Sequence, residues 1–159
     1  MKEEAAGKIT EIGGNCILRR SVRYELQGQG IVASYIHLGG KVGVLLEVGC
    51  EKAETSQKDA FKEVVKDITL HIAAANPQFL TRNDVPESVL QAEREIYAKQ
   101  VENKPANIIE KIVSGKMEKF YAMTCLVEQG FVKDPEQTIT EPLAATRKAI
   151  GSKIATPRF

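Results

Sequence analysis

Four things are scarce in this chain: long apolar runs, pairable cysteines, histidines and net charge. Each shortage removes a class of function. The longest apolar stretches fall well short of the ~20 residues needed to span a bilayer, and the opening MKEEAAGK has no apolar core of a secretion signal, so no membrane partner is expected. Cys16, Cys50 and Cys125 are odd in number, far apart and outside any CxxC or Cys/His pattern. They read as free thiols in a reducing compartment. His37 and His71 are the only imidazoles, too few for a converging nucleophile, acid and base or for a metal set, so neither an enzyme nor a cofactor is expected. With 22 Lys and Arg against 21 Asp and Glu the formal net charge is +1, which points away from nucleic acid. Gly28-Gln29-Gly30 lacks the third glycine of a dinucleotide loop, and Gly39-Gly40-Lys41 lacks P-loop spacing. A partner must therefore be recognised by shape.

What is present is an ordinary globular composition: 159 residues, 43% hydrophobic and 27% charged, enough to bury roughly 70% of the unfolded surface. Cys16, Leu18, Val22 and Tyr24 alternate with polar residues, interrupted by Arg20, and predict a half-buried strand. A second strand is predicted from Ile31 to His37 and a third from Val42 to Val48, joined at Gly39-Gly40, where positive φ is free of steric penalty. The three make an antiparallel meander. Beyond Gly49 the period changes. Phe61, Val64, Val65, Ile68, Ile72 and Ala75 form a helical stripe that Asn76-Pro77 ends, and this helix should cover the sheet.

A second helix is predicted over about 86–101 with Val89, Ala92 and Ile96 as its weak apolar side and Leu90 as a further candidate for it. After Asn103-Lys104-Pro105 a third carries Ile108, Ile109, Ile112, Val113, Met117 and Phe120. The short connection predicts an antiparallel helical hairpin projecting from the body. Thr138-Ile139-Thr140-Glu141 has capping-box spacing before a fourth helix with Leu143, Ala144, Arg147 and Ile150, ended by Gly151. The tail IGSKIATPRF echoes the start: Ile150-Gly151 repeats Ile12-Gly13, Ile154 stands where Cys16 does, and Arg158 where Arg20 does. His71, beside the stripe, reads as a core-edge histidine bonded to a backbone carbonyl. Arg19 and Arg23 fall on a solvated face, and Arg20 is expected to pair with a carboxylate near the sheet edge.

The phrases IGGNCILRRSVRYE, SYIHLGGKVGVLLEV, HIAAANPQFL, NKPANIIEKIVSGKMEKFY and LVEQGFVKD, in this order, resemble the elongation factor Ts family from about Gly7 to Phe159. The resemblance implies an α+β fold, a three-stranded antiparallel sheet covered by helices. It assigns residues 7–159 to one dimerisation-type domain containing a hairpin over about 86–128, with residues 1–6 disordered. It implies a nucleotide-exchange factor that promotes GDP release from elongation factor Tu, in the bacterial cytoplasm or an organelle's matrix or stroma. Two family features are missing: the three-helix ubiquitin-associated-like module before the domain, and the Thr-Asp-Phe-Val motif, for which Lys52-Ala53-Glu54-Thr55-Ser56 stands after Cys50-Glu51. The chain therefore looks like the second subdomain plus the hairpin, a piece of a longer protein.

By motif match the family's partner contacts fall on Ile12 and His37. Ile12 could equally be a core residue and His37 a polar strand end. A rigid strand end and turn suit insertion into a partner, which adds Ile36, Leu38, Gly39 and Gly40. The rival to an exchange factor is a binding module that self-associates through its sheet or through the hairpin seam of Ile108, Ile112 and Met117, a seam that could also only zip the hairpin shut.

Overall fold

The computed structural model describes residues 2–17, 19–155 and 157–159. The chain begins with helix α1, Lys2–Ile12. Alanine and unbranched Lys and Glu favour helix there, and Glu3 and Glu4 meet the positive end of its dipole. Disorder was expected over residues 1–6. From Lys2 onward they are helical, while Met1 lies outside the described residues.

Among the described residues from Cys16 to Tyr24 no strand forms, and Leu18 of that expected strand lies outside them. The alternation is only partly matched by burial: Cys16 and Tyr24 are half-buried, but Val22 is 67% exposed, so no continuous core face selects an extended register. The antiparallel ladder instead has two strands, β1 (Gln29–His37) and β2 (Val42–Cys50), in register from Gln29 opposite Cys50 to His37 opposite Val42. The place beside β2 belongs to the tail. Ile154 bridges Cys50 and Arg158 bridges Glu47, with Arg158 and Glu47 exchanging both backbone hydrogen bonds at 2.9 and 2.8 Å. Of the two sequence copies, the C-terminal one lies beside β2. The carboxylate pairing expected of Arg20 is made by its counterpart Arg158, whose guanidinium donates to Glu47 at 2.6 Å and lies 4.4 Å from the Tyr24 ring centre. Gly30 cannot be replaced without strain, because its φ is 154° and a Cβ would sit 2.3 Å from the Val48 carbonyl oxygen.

Short helix α2 (Ala53–Gln57) leads into α3 (Asp59–Ala75), which covers the ladder. Phe61, Val64, Val65, Ile68 and Ile72 are buried as the stripe predicts, against Val44, Leu46 and Val48. Ala75 is exposed, and Asn76 closes the helix in the left-handed conformation at φ 46° before Pro77. Each large side chain buried here contributes about 1.5–3 kcal/mol.

The hairpin is α4 (Glu87–Lys99) and α5 (Ala106–Thr124). Its seam differs from the expected one: Leu90 is buried and Val89 and Tyr97 half-buried, while Ala92 and Ile96 face solvent. α4 is rotated by about one position from the periodicity reading, because Tyr97, rather than Ile96, packs against the hairpin's apolar cluster. After α5 come β3 (Gly130–Phe131) and β4 (Asp134–Thr138), a second small antiparallel pair, then α6 (Thr140–Ile150). Half of the predicted capping box is present, the Thr138 N–H donating to Glu141 Oε1 at 3.2 Å, and Gly151 ends α6 at φ 67°. The class is α+β, with two two-stranded sheets in place of one three-stranded sheet.

Candidate functional site at the β-hairpin tip

The residues expected to engage a partner, Ile12 apart, converge where β1 turns into β2. Leu38, Gly39 and Gly40 form a single 3-10 turn with φ of 50°, 63° and 95°. For the two glycines this conformation is free. For Leu38 the left-handed region costs about 1–2 kcal/mol. The ladder below over-determines the turn, since β2 is held on one edge by β1 and on its inner face by α3. The turn is consequently a rigid projection carrying two large apolar side chains, with Ile36 72% and Leu38 64% exposed.

His37 closes the strand immediately before that turn and is exposed. Its imidazole is not loose: the Tyr35 hydroxyl lies 2.9 Å from Nδ1, and the two rings stack at 5.7 Å with 21° between planes. With the phenol O–H donating to Nδ1, Nε2 carries the proton and stays open to an acceptor on a partner. Tyr35, two residues upstream on the same strand face, was not foreseen as part of the site. The alternation of β1 is the signal that could have found it.

Ile12 is at the C-terminal end of α1 and is 66% exposed, so it is not a core residue. α1 contributes to neither apolar core, and Ile12 stands on a different element from the tip. The segment Lys52–Ser56, where the resemblance leads one to expect an acid and phenylalanine pair, enters α2. Lys52, Ala53 and Glu54 are exposed and Thr55 and Ser56 buried, leaving no aromatic side chain there.

His71 is 1% exposed and bonded, but not to a backbone carbonyl as expected. Its Nε2 lies 2.9 Å from Gln129 Oε1, and its Nδ1 accepts from the Val132 N–H at 3.2 Å. Burial lowers its pKa below the usual histidine value, and the Gln129 hydrogen bond opposes that shift. Gln129 is 58 residues away in sequence, and nothing local announces it. At the root of the helical hairpin Arg82 donates to Glu128 and Glu118 at 2.5 and 2.6 Å and stacks 4.5 Å from the Tyr121 ring centre. Those carboxylates raise its already high pKa, and Arg82 holds Glu118 below the ordinary carboxylate range. Between α4 and α5 an open cleft of about 790 Å³ is lined by Ala98, Ile109, Val113, Met117 and Tyr121, with Arg82 and Arg94 at its rim. Met117 is 5% exposed against Leu90, so the seam zips the hairpin shut at that position, while Ile108 remains 42% exposed.

Among the described residues no three His, Cys, Asp or Glu side chains gather as metal ligands would, and no helix is long and apolar enough to cross a membrane. Cys16, Cys50 and Cys125 are free, and burial pushes the Cys125 thiol above its usual range.

The family model described as Elongation factor TS matches residues 1–156. The chain is 49% identical over 153 residues to elongation factor Ts of Trichlorobacter lovleyi, covering 95% of this chain and 49% of that relative. It is 52% identical over 133 residues to the Geobacter sulfurreducens protein of that name, covering 82% and 62%, and 47% identical over 159 residues to that of Thermoanaerobacter sp. strain X514, covering 99% and 77%. It therefore spans about half to three-quarters of the length of these relatives. With the family's strand, turn and core helix in place, and with its model matched over nearly every residue, this chain belongs to the elongation factor Ts family.

Proposed function

We propose that the chain is the docking part of a nucleotide-exchange factor. It corresponds to the family's second subdomain with its helical hairpin, and it engages elongation factor Tu of a bacterial cytoplasm through Ile36, His37, Leu38, Gly39 and Gly40, with Ile12 as a separate outlying contact. Such a factor makes and breaks no bonds. It binds best to the state in which the partner's nucleotide site is distorted, and linkage requires that nucleotide weaken the factor equally.

One observation carries this reading: an exposed isoleucine and leucine and a tyrosine-held imidazole stand on a turn whose Leu38 backbone is strained. Solvent gains nothing from that arrangement, whereas insertion into a preformed pocket would bury Ile36 and Leu38 and bond His37 Nε2. Without the acid and phenylalanine pair, the chain should bind elongation factor Tu but speed release poorly. Stopped-flow release of a fluorescent GDP from elongation factor Tu checks this. Expected are saturable binding, weakened about tenfold or more by His37→Ala, and release well below the rate given by a full-length elongation factor Ts. Full-rate exchange by this chain would overturn the docking-part assignment, and binding untouched by His37→Ala would overturn the site.

A self-associating module is the second reading. It is favoured by the outer face of the ladder, where Val22, Ile36, Leu45 and Phe159 line an apolar cleft of about 470 Å³. Sedimentation at several concentrations separates the readings, because only the module predicts a mass that rises with concentration in the absence of elongation factor Tu.

A further inference from the structure

The helical hairpin meets the body at one place, where the chain leaves α3 and returns from α5. Residues 78–80 and 124–127 run side by side there. Gln78 and Phe79 donate to the Thr124 carbonyl at 2.9 and 3.1 Å, Leu126 donates to Phe79 at 2.9 Å, and Val127 to Leu80 at 3.2 Å. Cys125 and Leu126, adjacent in sequence, are both fully buried, one in the hairpin's apolar cluster and the other in the body's. Anything that loosens this pair of residues uncouples the two cores.

His71 of α3 is the buried polar group that reaches across the junction. Gln129 Oε1 accepts from the His71 Nε2–H, and the Gln129 Nε2 in turn donates to the Met123 carbonyl in the last turn of α5 at 2.6 Å. Nδ1 accepts from Val132, just past β3, and the Phe131 ring sits 6.2 Å away. One neutral imidazole thus ties α3 to the end of α5 and to the start of the β3–β4 turn. We propose that His71 is an acid-released latch, whose protonation on Nδ1 detaches residues 124–132 from α3 and frees the helical hairpin from the body.

The chemistry is specific to the tautomer. Nδ1 faces an N–H, so a proton placed there removes the only acceptor Val132 has in this arrangement and sets donor against donor. It also creates a buried cation with no anion beside it. The charged groups on the surrounding elements are otherwise engaged. Asp67 on α3 is held by Lys133 of the β3–β4 turn at 2.6 Å, Asp134 of β4 accepts from Gln137, and Glu128 is held by Arg82. The end of α5 offers Tyr121, whose ring lies against Arg82, and the Cys125 thiol, whose pKa burial raises, while on α6, packed against α3, Glu141 accepts from the Thr138 N–H. The sign follows directly. A histidine whose pKa is lowered in the closed state favours that state fully above about pH 6.5, and the preference is lost as pH falls through that value toward the lowered one. The inference does not depend on the elongation factor Tu reading.

Amide hydrogen exchange on the whole chain, corrected for intrinsic rates, tests it alongside NMR titration of the His71 imidazole, assigned with a His37→Gln variant. Between pH 7.5 and pH 5, the amides of Leu126, Val127 and Val132 should lose protection about tenfold for each pH unit by which the closed-state titration lies below 6.5. The amides of β1 and β2 should keep theirs. His71→Gln, which can still donate and accept but cannot titrate, should give a pH-independent profile. Unchanged protection at Val132, equal loss of protection in β1 and β2 at the same pH, or an acid-dependent loss that persists in a folded His71→Gln chain would each overturn the latch. Should that variant fail to fold, the contrast between the junction and β1–β2 in the unmodified chain decides alone.

Discussion

Phe61 and Met117 sit in the two cores of this molecule and show how differently they are enclosed. The body's cluster has a fully enclosed centre, with Phe61, Leu46, Val48, Ile68, Leu126 and Ile139 at most 1% exposed, inside a margin where Val44, Ile72, Phe131 and Ile150 keep 7–9%. In the hairpin's cluster only Cys125 is fully enclosed, Met117, Val85, Leu90 and Phe120 retain 5–8% exposure, and the open cleft between α4 and α5 lies alongside. The body is closed by a sheet on one side and helices on the other. The hairpin has only two helices, each able to cover one side of its partner. A rigid body can hold a strained turn such as Leu38–Gly40 in place, whereas a two-helix arm is held mainly at its root, through Arg82, Cys125, Leu126 and His71.

The difference can be broken or sharpened by substitution. Phe61→Ala should produce the largest loss, about 3–5 kcal/mol in urea unfolding followed by circular dichroism, and Met117→Ala about 2 kcal/mol, because a cavity at the hairpin seam is open to water and to collapse. A larger loss at Met117 than at Phe61 would break the comparison. Arg82→Ala should cost less than the Met117 change, since its guanidinium is partly exposed, and the loss should shrink as salt is raised. A salt-independent loss would mean that Arg82 acts by packing on Tyr121 rather than by its carboxylates. The smallest effect is expected for Ile96→Ala, within about 0.5 kcal/mol, because Ile96 is 49% exposed. A loss of core size there would restore the periodicity reading of α4.

Legibility in the sequence followed the same division. The α3 stripe was readable to within one residue, Ala75, because one wide apolar face meets a flat sheet and tolerates no rotation. On α4 the apolar residues are few and include both Val89 and Leu90, so two faces one position apart score alike, and only packing against the hairpin's apolar cluster chooses between them. At the tip, Ile36 to Gly40 were readable because glycines at a strand end fix a turn locally, while the positive φ of Leu38 and the Tyr35 bond to His37 emerge only once the ladder is built.

By itself the sequence determined what depends on near neighbours: the β1–β2 hairpin, helix α3 and its stop at Asn76-Pro77, the helical hairpin with its short connection, and the family. Tertiary structure decided what depends on distant ones. The edge beside β2 went to Arg158, 111 residues from Glu47, rather than to the Cys16–Tyr24 segment, and His71 found Gln129 across 58 residues. Strand edges and buried polar atoms accept any partner of suitable geometry, so their choice is made by which segments the two cores bring together.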